Sequence, residues 1–167
     1  MSPVPVPSFH ESYLGRLRGV VGDRLLLMPG SRIVIEGEGG RVLLQRRSDF
    51  GVWGIPGGVP EEGEGIVDAI VRETREETGL TVLDPRPFGY ACHPDFETIR
   101  YPNGHVCQYF SLMFCATSFE GALGGSDGES LELAWFAPES LPSMLPNMRR
   151  SVEAYVRFKT TGAFQMI

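Results

Sequence analysis

Between residues 66 and 78 the sequence lays out an amphipathic helix whose inward stripe changes from hydrocarbon to carboxylate. Ile66, Ile70, Glu73 and Glu77 fall at i, i+4, i+7 and i+11 and therefore share one face. Glu76 sits beside Glu77 and three residues from Glu73, so three carboxylates can converge near the helix end that Gly79 terminates. Like charges at this spacing repel, and the helix C-terminus adds partial negative charge of its own. A chain folded this way needs a cation at that end. Arg72 and Arg75 can supply it, with Arg72 and Glu76 as an exposed i,i+4 pair worth about 0.3–0.5 kcal/mol. A hard divalent ion such as Mg2+ can supply it too, since Mg2+ takes oxygen ligands and is held by carboxylates together with substrate phosphates.

The segment ahead of the helix separates these readings. Residues 48 to 65 form a long loop rich in glycine that includes Pro56-Gly57-Gly58, and long loops inside compact domains are usually functional. A solvated acidic helix alone leaves Gly57, Gly58 and Glu64 without a purpose. Glycine lets a backbone approach phosphate or metal where a β-carbon would obstruct it.

The stretch GVPEEGEGIVDAIVRETREETGL, residues 58 to 80, resembles the signature of the Nudix hydrolases, with Gly58, Glu64, Arg72, Glu73, Glu76, Glu77, Gly79 and Leu80 in register. The upstream WGIPGG, residues 53 to 58, is similar to the family's usual lead-in, while Thr74 stands where the family prefers a larger apolar residue. The resemblance implies an α/β fold, an α/β/α sandwich around a mixed β-sheet. It also implies a MutT-like, Mg2+-dependent pyrophosphohydrolase, with Mn2+ as a substitute, acting on a nucleoside diphosphate linked to another moiety. ADP-ribose or another sugar nucleotide, a (deoxy)nucleoside triphosphate and a dinucleoside polyphosphate all satisfy that description. By the same resemblance Glu73, Glu76 and Glu77 are metal ligands, one of them also able to orient or deprotonate water, the Gly57 carbonyl is a further ligand, and Glu64 is an outer ligand or hydrogen-bond partner. Arg72 holds a glutamate in place, and Gly58 lies against the substrate. A non-catalytic module that binds a nucleotide is the alternative; loss of a signature glutamate would favour it, and none is lost.

Outside the signature, Glu129 and Glu132 are candidates for an additional carboxylate acting as ligand or general base, Glu129 first, although both also read as exposed loop charge. Arg46 or Arg47 can face a diphosphate through a planar guanidinium, and strand alternation sends only one of them to a given side. Phe50, Tyr101 and Trp135 can stack a base or simply pack. Cys92-His93 and His105-x-Cys107 suggest zinc, but a two-residue turn at Asn103-Gly104 sets Cys107 opposite Arg100 and far from Cys92, which argues against it. The same register sets Cys92 opposite Cys115 as a free thiol pair.

The remaining elements follow from pattern. Alternating Pro and Val over residues 1 to 7 predict an extended or disordered start, and Ser8 with Glu11 predicts a capping box for a helix over 9 to 19. Two β-rich runs, Arg32 to Ile35 and Arg41 to Gln45, flank the turn Gly37 to Gly40 and predict a hairpin. Strands are expected over 81 to 91, Val106 to Phe119 and Leu131 to Phe136. A last helix over 147 to 160 is expected to pack through Met148, Val152, Tyr155 and Val156. This predicts an arm over 1–30, available for a homodimer contact or for covering the pocket, and one catalytic domain over 31–160. The formal net charge of −6 argues against a nucleic-acid polymer or an anionic membrane as partner and leaves a small-molecule nucleoside diphosphate derivative. The first ten residues lack the basic and apolar regions of a targeting peptide, and three cysteines make no disulfide framework, which predicts a cytoplasmic protein.

Overall fold

The computed structural model describes residues 9–125 and 128–167, so the expectations for residues 1 to 7 and for Ser8 lie outside the described residues. Helix α1 (Tyr13–Val21) follows a 3-10 turn at Phe9–Glu11. Its cap is Ser12, whose hydroxyl accepts the Gly15 N–H at 3.1 Å, so the helix runs over 13–21 rather than the expected 9–19. The order then runs β1 (Leu26–Ile35), β2 (Val42–Arg47), β3 (Trp53–Gly54), β4 (Gly57–Gly58), α2 (Ile66–Thr78), β5 (Leu80–Val82) and β6 (Arg86–Ala91). It continues with α3 (Pro94–Glu97), β7 (Thr98–Arg100), β8 (Val106–Ala116), β9 (Phe119–Gly121), β10 (Ser130–Phe136), α4 (Pro146–Thr161) and β11 (Gln165–Met166).

The main sheet is mixed, in the order β11-β6-β8-β1-β4, with β7 also on β8; β10-β2-β3 form a second sheet and β5-β9 a third. β1 is the keel. It runs parallel to β8 from Leu26↔Cys107 to Ile35↔Ala116, and its side chains alternate between two cores. Val34 packs with Val42, Leu44, Phe88, Val152 and Tyr155 on the α4 side. Ile33 and Ile35 pack with Leu43, Ile70, Leu80 and Phe114 on the α2 side. A strand buried on both faces reads as a continuous apolar run, as RIVI does apart from its arginine. The result is the expected α/β/α sandwich around a mixed sheet.

Several expected details differ. The hairpin between 32–35 and 41–45 does not form: a single antiparallel bridge, Glu36↔Val42, closes the glycine turn, after which the strands part into different sheets. β1 takes β8 and β4 as partners, while β2 takes β10 and β3, because each strand has buried side chains on both faces and finds longer pairings elsewhere. The run expected over 81–91 splits at Asp84-Pro85, and that over 106–119 splits after Ala116. β1 also extends back to Leu26, so residues 26–30 pair with the sheet instead of belonging to an arm. On α4, Val152 and Tyr155 are buried but Val156 faces solvent.

The turn at Asn103-Gly104 is longer than two residues. The Tyr101 N–H donates to His105 O at 2.9 Å and the Gly104 N–H to Tyr101 O at 3.0 Å, with Gly104 at φ +92°. This shifts the register by one, and Cys107 faces Ile99 rather than Arg100. Cys115 faces Arg86, so the expected Cys92–Cys115 pairing is absent and all three cysteines are free. Among the described residues no helix is long and apolar enough to cross a membrane.

Candidate active site

Helix α2 presents the carboxylates, and β4 is the surface they meet. The helix runs over the residues its stripe predicts and stops where Gly79 enters the left-handed region at φ 78°. Thr74, at the apolar position of the signature, is buried and turns its hydroxyl back to Ile70 O at 2.6 Å. Gly57 and Gly58 pair with Arg32 and Ser31 of β1, which holds β4 against the sheet. A β-carbon on Gly58 would lie 2.2 Å from Glu73 Cδ, so the bare backbone there is the seat of that carboxylate.

Arg72 is the cation that the charge pattern demands. Its Nε and Nη2 donate to the two oxygens of Glu64 at 2.8 Å each, and its Nη1 donates to Glu73 Oε1 at 3.0 Å and Glu76 Oε2 at 3.1 Å. The bidentate bond from Arg72 holds the Glu64 carboxyl below the ordinary carboxylate range. Glu64 thereby serves Arg72 and does not line the cleft. The same ion pair that a purely structural account predicts for Arg72 and Glu76 is present, but it is one branch of a four-residue network.

Glu77 turns the other way. Only 1% exposed, it accepts the Gly57 N–H on Oε2 at 2.8 Å. Burial pushes its carboxyl well above the ordinary range, and the positive charge of Arg47 opposes that shift. Burial also raises Glu73 to about 7; Arg72 opposes the shift, while Glu76 and Glu129 add to it. The expected convergence of all three glutamates is therefore partial: Glu73 and Glu76 meet at one nitrogen, and Glu77 lies behind them. Among the described residues no three Asp, Glu, His or Cys side chains are grouped as a ready metal site, at the zinc candidates or here.

The residues nevertheless suit a hard cation. The donors are all oxygen, two of them already converge on a single positive nitrogen, and a third carboxylate is buried at a cost that the Arg47 charge, the Gln45 side chain and the Gly57 N–H do not offset. A ligand carboxylate must shed its proton, and that of Glu73 leaves only near pH 7. Were these the ligands, Mn2+ affinity measured by titration calorimetry would fall at least about tenfold from pH 8 to pH 6, because the buried Glu77 carboxyl is raised as well, whereas a pH-independent affinity would remove Glu73 and Glu77 from the ligand set.

Arg72, Glu73 and Glu76 face a cleft of about 770 Å3, within the size range of small-molecule sites. Of the two arginines, Arg47 lines it and Arg46 does not; Arg46 leaves by the opposite side of β2 and meets Glu132 at 3.5 Å. That contact also removes Glu132 from the site, while Glu129 reaches the cleft, its carbonyl accepting the Ser48 N–H at 2.8 Å. Burial works against the charge on Arg47, but the bidentate bonds to Asp49, at 3.0 and 2.7 Å, outweigh it. Phe50 and Tyr101 form one wall with ring centres 5.5 Å apart, and Trp135 stacks on Phe119 away from the cleft.

The floor of the cleft holds residues that the sequence reading did not single out. Arg32 and Glu97 form a buried ion pair there, and Arg32 Nη1 also reaches Asn147 O at 3.3 Å. A charged residue inside the run SRIVI was the available signal for Arg32, because a strand interior holds a charge only when it is paired. Its partner, 65 residues away, has no sequence mark.

The chain matches the NUDIX domain over residues 26–156. It is 31% identical over 140 residues to the ADP-ribose pyrophosphatase of Methanocaldococcus jannaschii, an alignment covering 81% of this chain and 78% of that protein. It is 35% identical over 103 residues to the 8-oxo-dGDP phosphatase NUDT18 of Homo sapiens, covering 60% of this chain and 28% of that one. Among solved structures, the MutT NUDIX hydrolase from Burkholderia pseudomallei superposes with a TM-score of 0.65 at 27% identity, over 77% of this chain and 98% of that chain.

Proposed function

This chain belongs to the Nudix hydrolase family, and from that premise we propose that it is a Mg2+-dependent pyrophosphohydrolase cleaving the diphosphate linkage of a small nucleoside diphosphate derivative. The supporting observation is the gathering of Glu73 and Glu76 on Arg72 in the lining of a cleft that Arg47 also lines. Glu73, Glu76 and Glu77 would hold the cation, with the Gly57 carbonyl beside them, and Mn2+ would substitute. When bound, the ion supplies neutralisation of the diphosphate charge and activation of water for attack.

The chain's own residues do the rest. Arg47, kept rigid by Asp49, binds a phosphate oxygen through its guanidinium. Gly58, in the cleft lining, offers backbone to the substrate while its missing side chain leaves room for Glu73. Glu129, on a loop at the cleft edge, takes the proton from the attacking water. Arg72 orients Glu73 and Glu76. Phe50 and Tyr101 offer an aromatic wall to the base.

The name of the M. jannaschii relative favours ADP-ribose, and that of the human relative favours an oxidised deoxyguanosine nucleotide. Both substrate classes therefore enter the test. Product release from ADP-ribose, 8-oxo-dGTP and diadenosine tetraphosphate, followed by chromatography with Mg2+ and then Mn2+, tests the reading. AMP and ribose 5-phosphate from the first compound are the expected products. Tight binding of ADP-ribose with no turnover of any of the three would make the chain a nucleotide-binding module.

A further inference from the structure

Helix α1 and the turn before it stand outside the residues that match the NUDIX domain, yet Phe9, Ser12, Leu14 and Arg18 form part of the cleft wall. It is anchored at both ends. At one end the nearly buried Arg18 donates through Nη2 to Val106 O at 2.7 Å and to Cys107 Sγ at 3.0 Å, both in β8. Its Nη1 donates to Gly22 O and Arg24 O at 3.0 and 2.6 Å. At the other end the Tyr13 N–H, at the first position of the helix, donates to Glu61 Oε2 at 2.9 Å, and Arg16 pairs with Glu62 at 2.6 Å. The first N–H groups of a helix have no partner within it, and a carboxylate at that end is favoured by the helix dipole.

Glu61 carries the connection onward. Its own N–H donates to Glu64 Oε2 at 3.0 Å; Glu64 grips Arg72; and Arg72 reaches Glu73 and Glu76. A continuous run of hydrogen bonds therefore links an element outside the catalytic fold to the carboxylates of the cleft. We propose that α1 braces the cation site through Glu61, a positioning residue whose bond to the Tyr13 N–H holds the 59–64 loop and so the Arg72 fork that orients Glu73 and Glu76. The inference rests on the proposed role of those glutamates as cation ligands.

The test is the Mn2+ dissociation constant of the full chain, read from the free-ion signal in electron paramagnetic resonance. Proline is favoured at the first helical position, so Tyr13→Pro deletes the N–H while sparing the helix, and Tyr13→Ala controls for the lost ring. Tyr13→Pro is expected to weaken Mn2+ binding about tenfold and Tyr13→Ala to leave it unchanged, since partners that orient metal ligands are worth about 10–100-fold in affinity. A second pair guards against a proline variant that does not fold: Glu61→Ala weakens binding by the same factor, and Glu61→Gln, which keeps the acceptor, restores it. Equal affinities for Tyr13→Pro and Tyr13→Ala, or for Glu61→Ala and wild type, would overturn the brace. Glu61→Gln as weak as Glu61→Ala would overturn it differently, by making Glu61 a direct ligand. A wild type that binds no Mn2+ would fail the cation site itself, and the brace with it.

Discussion

Glu77→Gln is expected to lower kcat/KM by at least about 100-fold while leaving the thermal midpoint unchanged or higher. The two effects have one origin. Glu77 is buried on α2 with the Gly57 N–H at 2.8 Å, and a glutamine oxygen accepts that bond as well as a carboxylate does. What the amide lacks is charge. Burial opposes that charge, as the upward shift of the carboxyl shows, so removing it relieves a cost to the metal-free fold. A residue kept for architecture would give the opposite pair of results, with activity retained and stability reduced. Steady-state kinetics and a melting curve on the same preparation distinguish the two.

Gly58→Ala is expected to be nearly as damaging to activity, at about 100-fold, yet mild for the fold. The new methyl would overlap Glu73 Cδ and Oε1, at 2.2 and 2.3 Å from the β-carbon, and a side-chain terminus can move aside. It would then leave Arg72 and its place beside Glu76. Gly57→Ala is the contrasting case, because its β-carbon would meet Ser31 O at 2.4 Å and Arg32 Cα at 2.8 Å, which are backbone atoms of the central strand. That variant is expected to lose about 1–3 kcal/mol of stability in denaturant unfolding, the usual cost of overpacking. Adjacent glycines thus separate the two requirements: Gly57 lets β4 dock on β1, and Gly58 leaves room for a carboxylate.

Local patterns in the sequence were the legible ones. Helix α2 is read to its end residues because an apolar stripe, a charged stripe and a left-handed glycine cap all lie within fourteen residues. The partnership of Arg72 with Glu76 follows from i,i+4 spacing. Strand alternation correctly limits the cleft to one of Arg46 and Arg47, but only the neighbours of β2 show that it is Arg47. Pairing over long separations left no local mark. Alternation identifies a strand and not its partner, so a glycine turn between two β runs reads as a hairpin even where β1 goes to β8 and β2 to β10. A turn one residue longer than expected moves Cys107 onto Ile99. The direction of Glu77, into the body rather than into the cleft, depends on the Gly57 N–H, twenty residues upstream across a loop.

The central claim is that this constellation of carboxylates cleaves a phosphoanhydride with the help of a divalent ion. Phosphorus magnetic resonance of ADP-ribose mixed with the protein observes that bond directly. With Mg2+ present, the paired diphosphate resonances should give way to two monophosphate signals, and chelation by EDTA midway should stop the conversion. Unchanged phosphoanhydride resonances in ADP-ribose, 8-oxo-dGTP and diadenosine tetraphosphate alike, or conversion that continues at the same rate after chelation, would contradict the account.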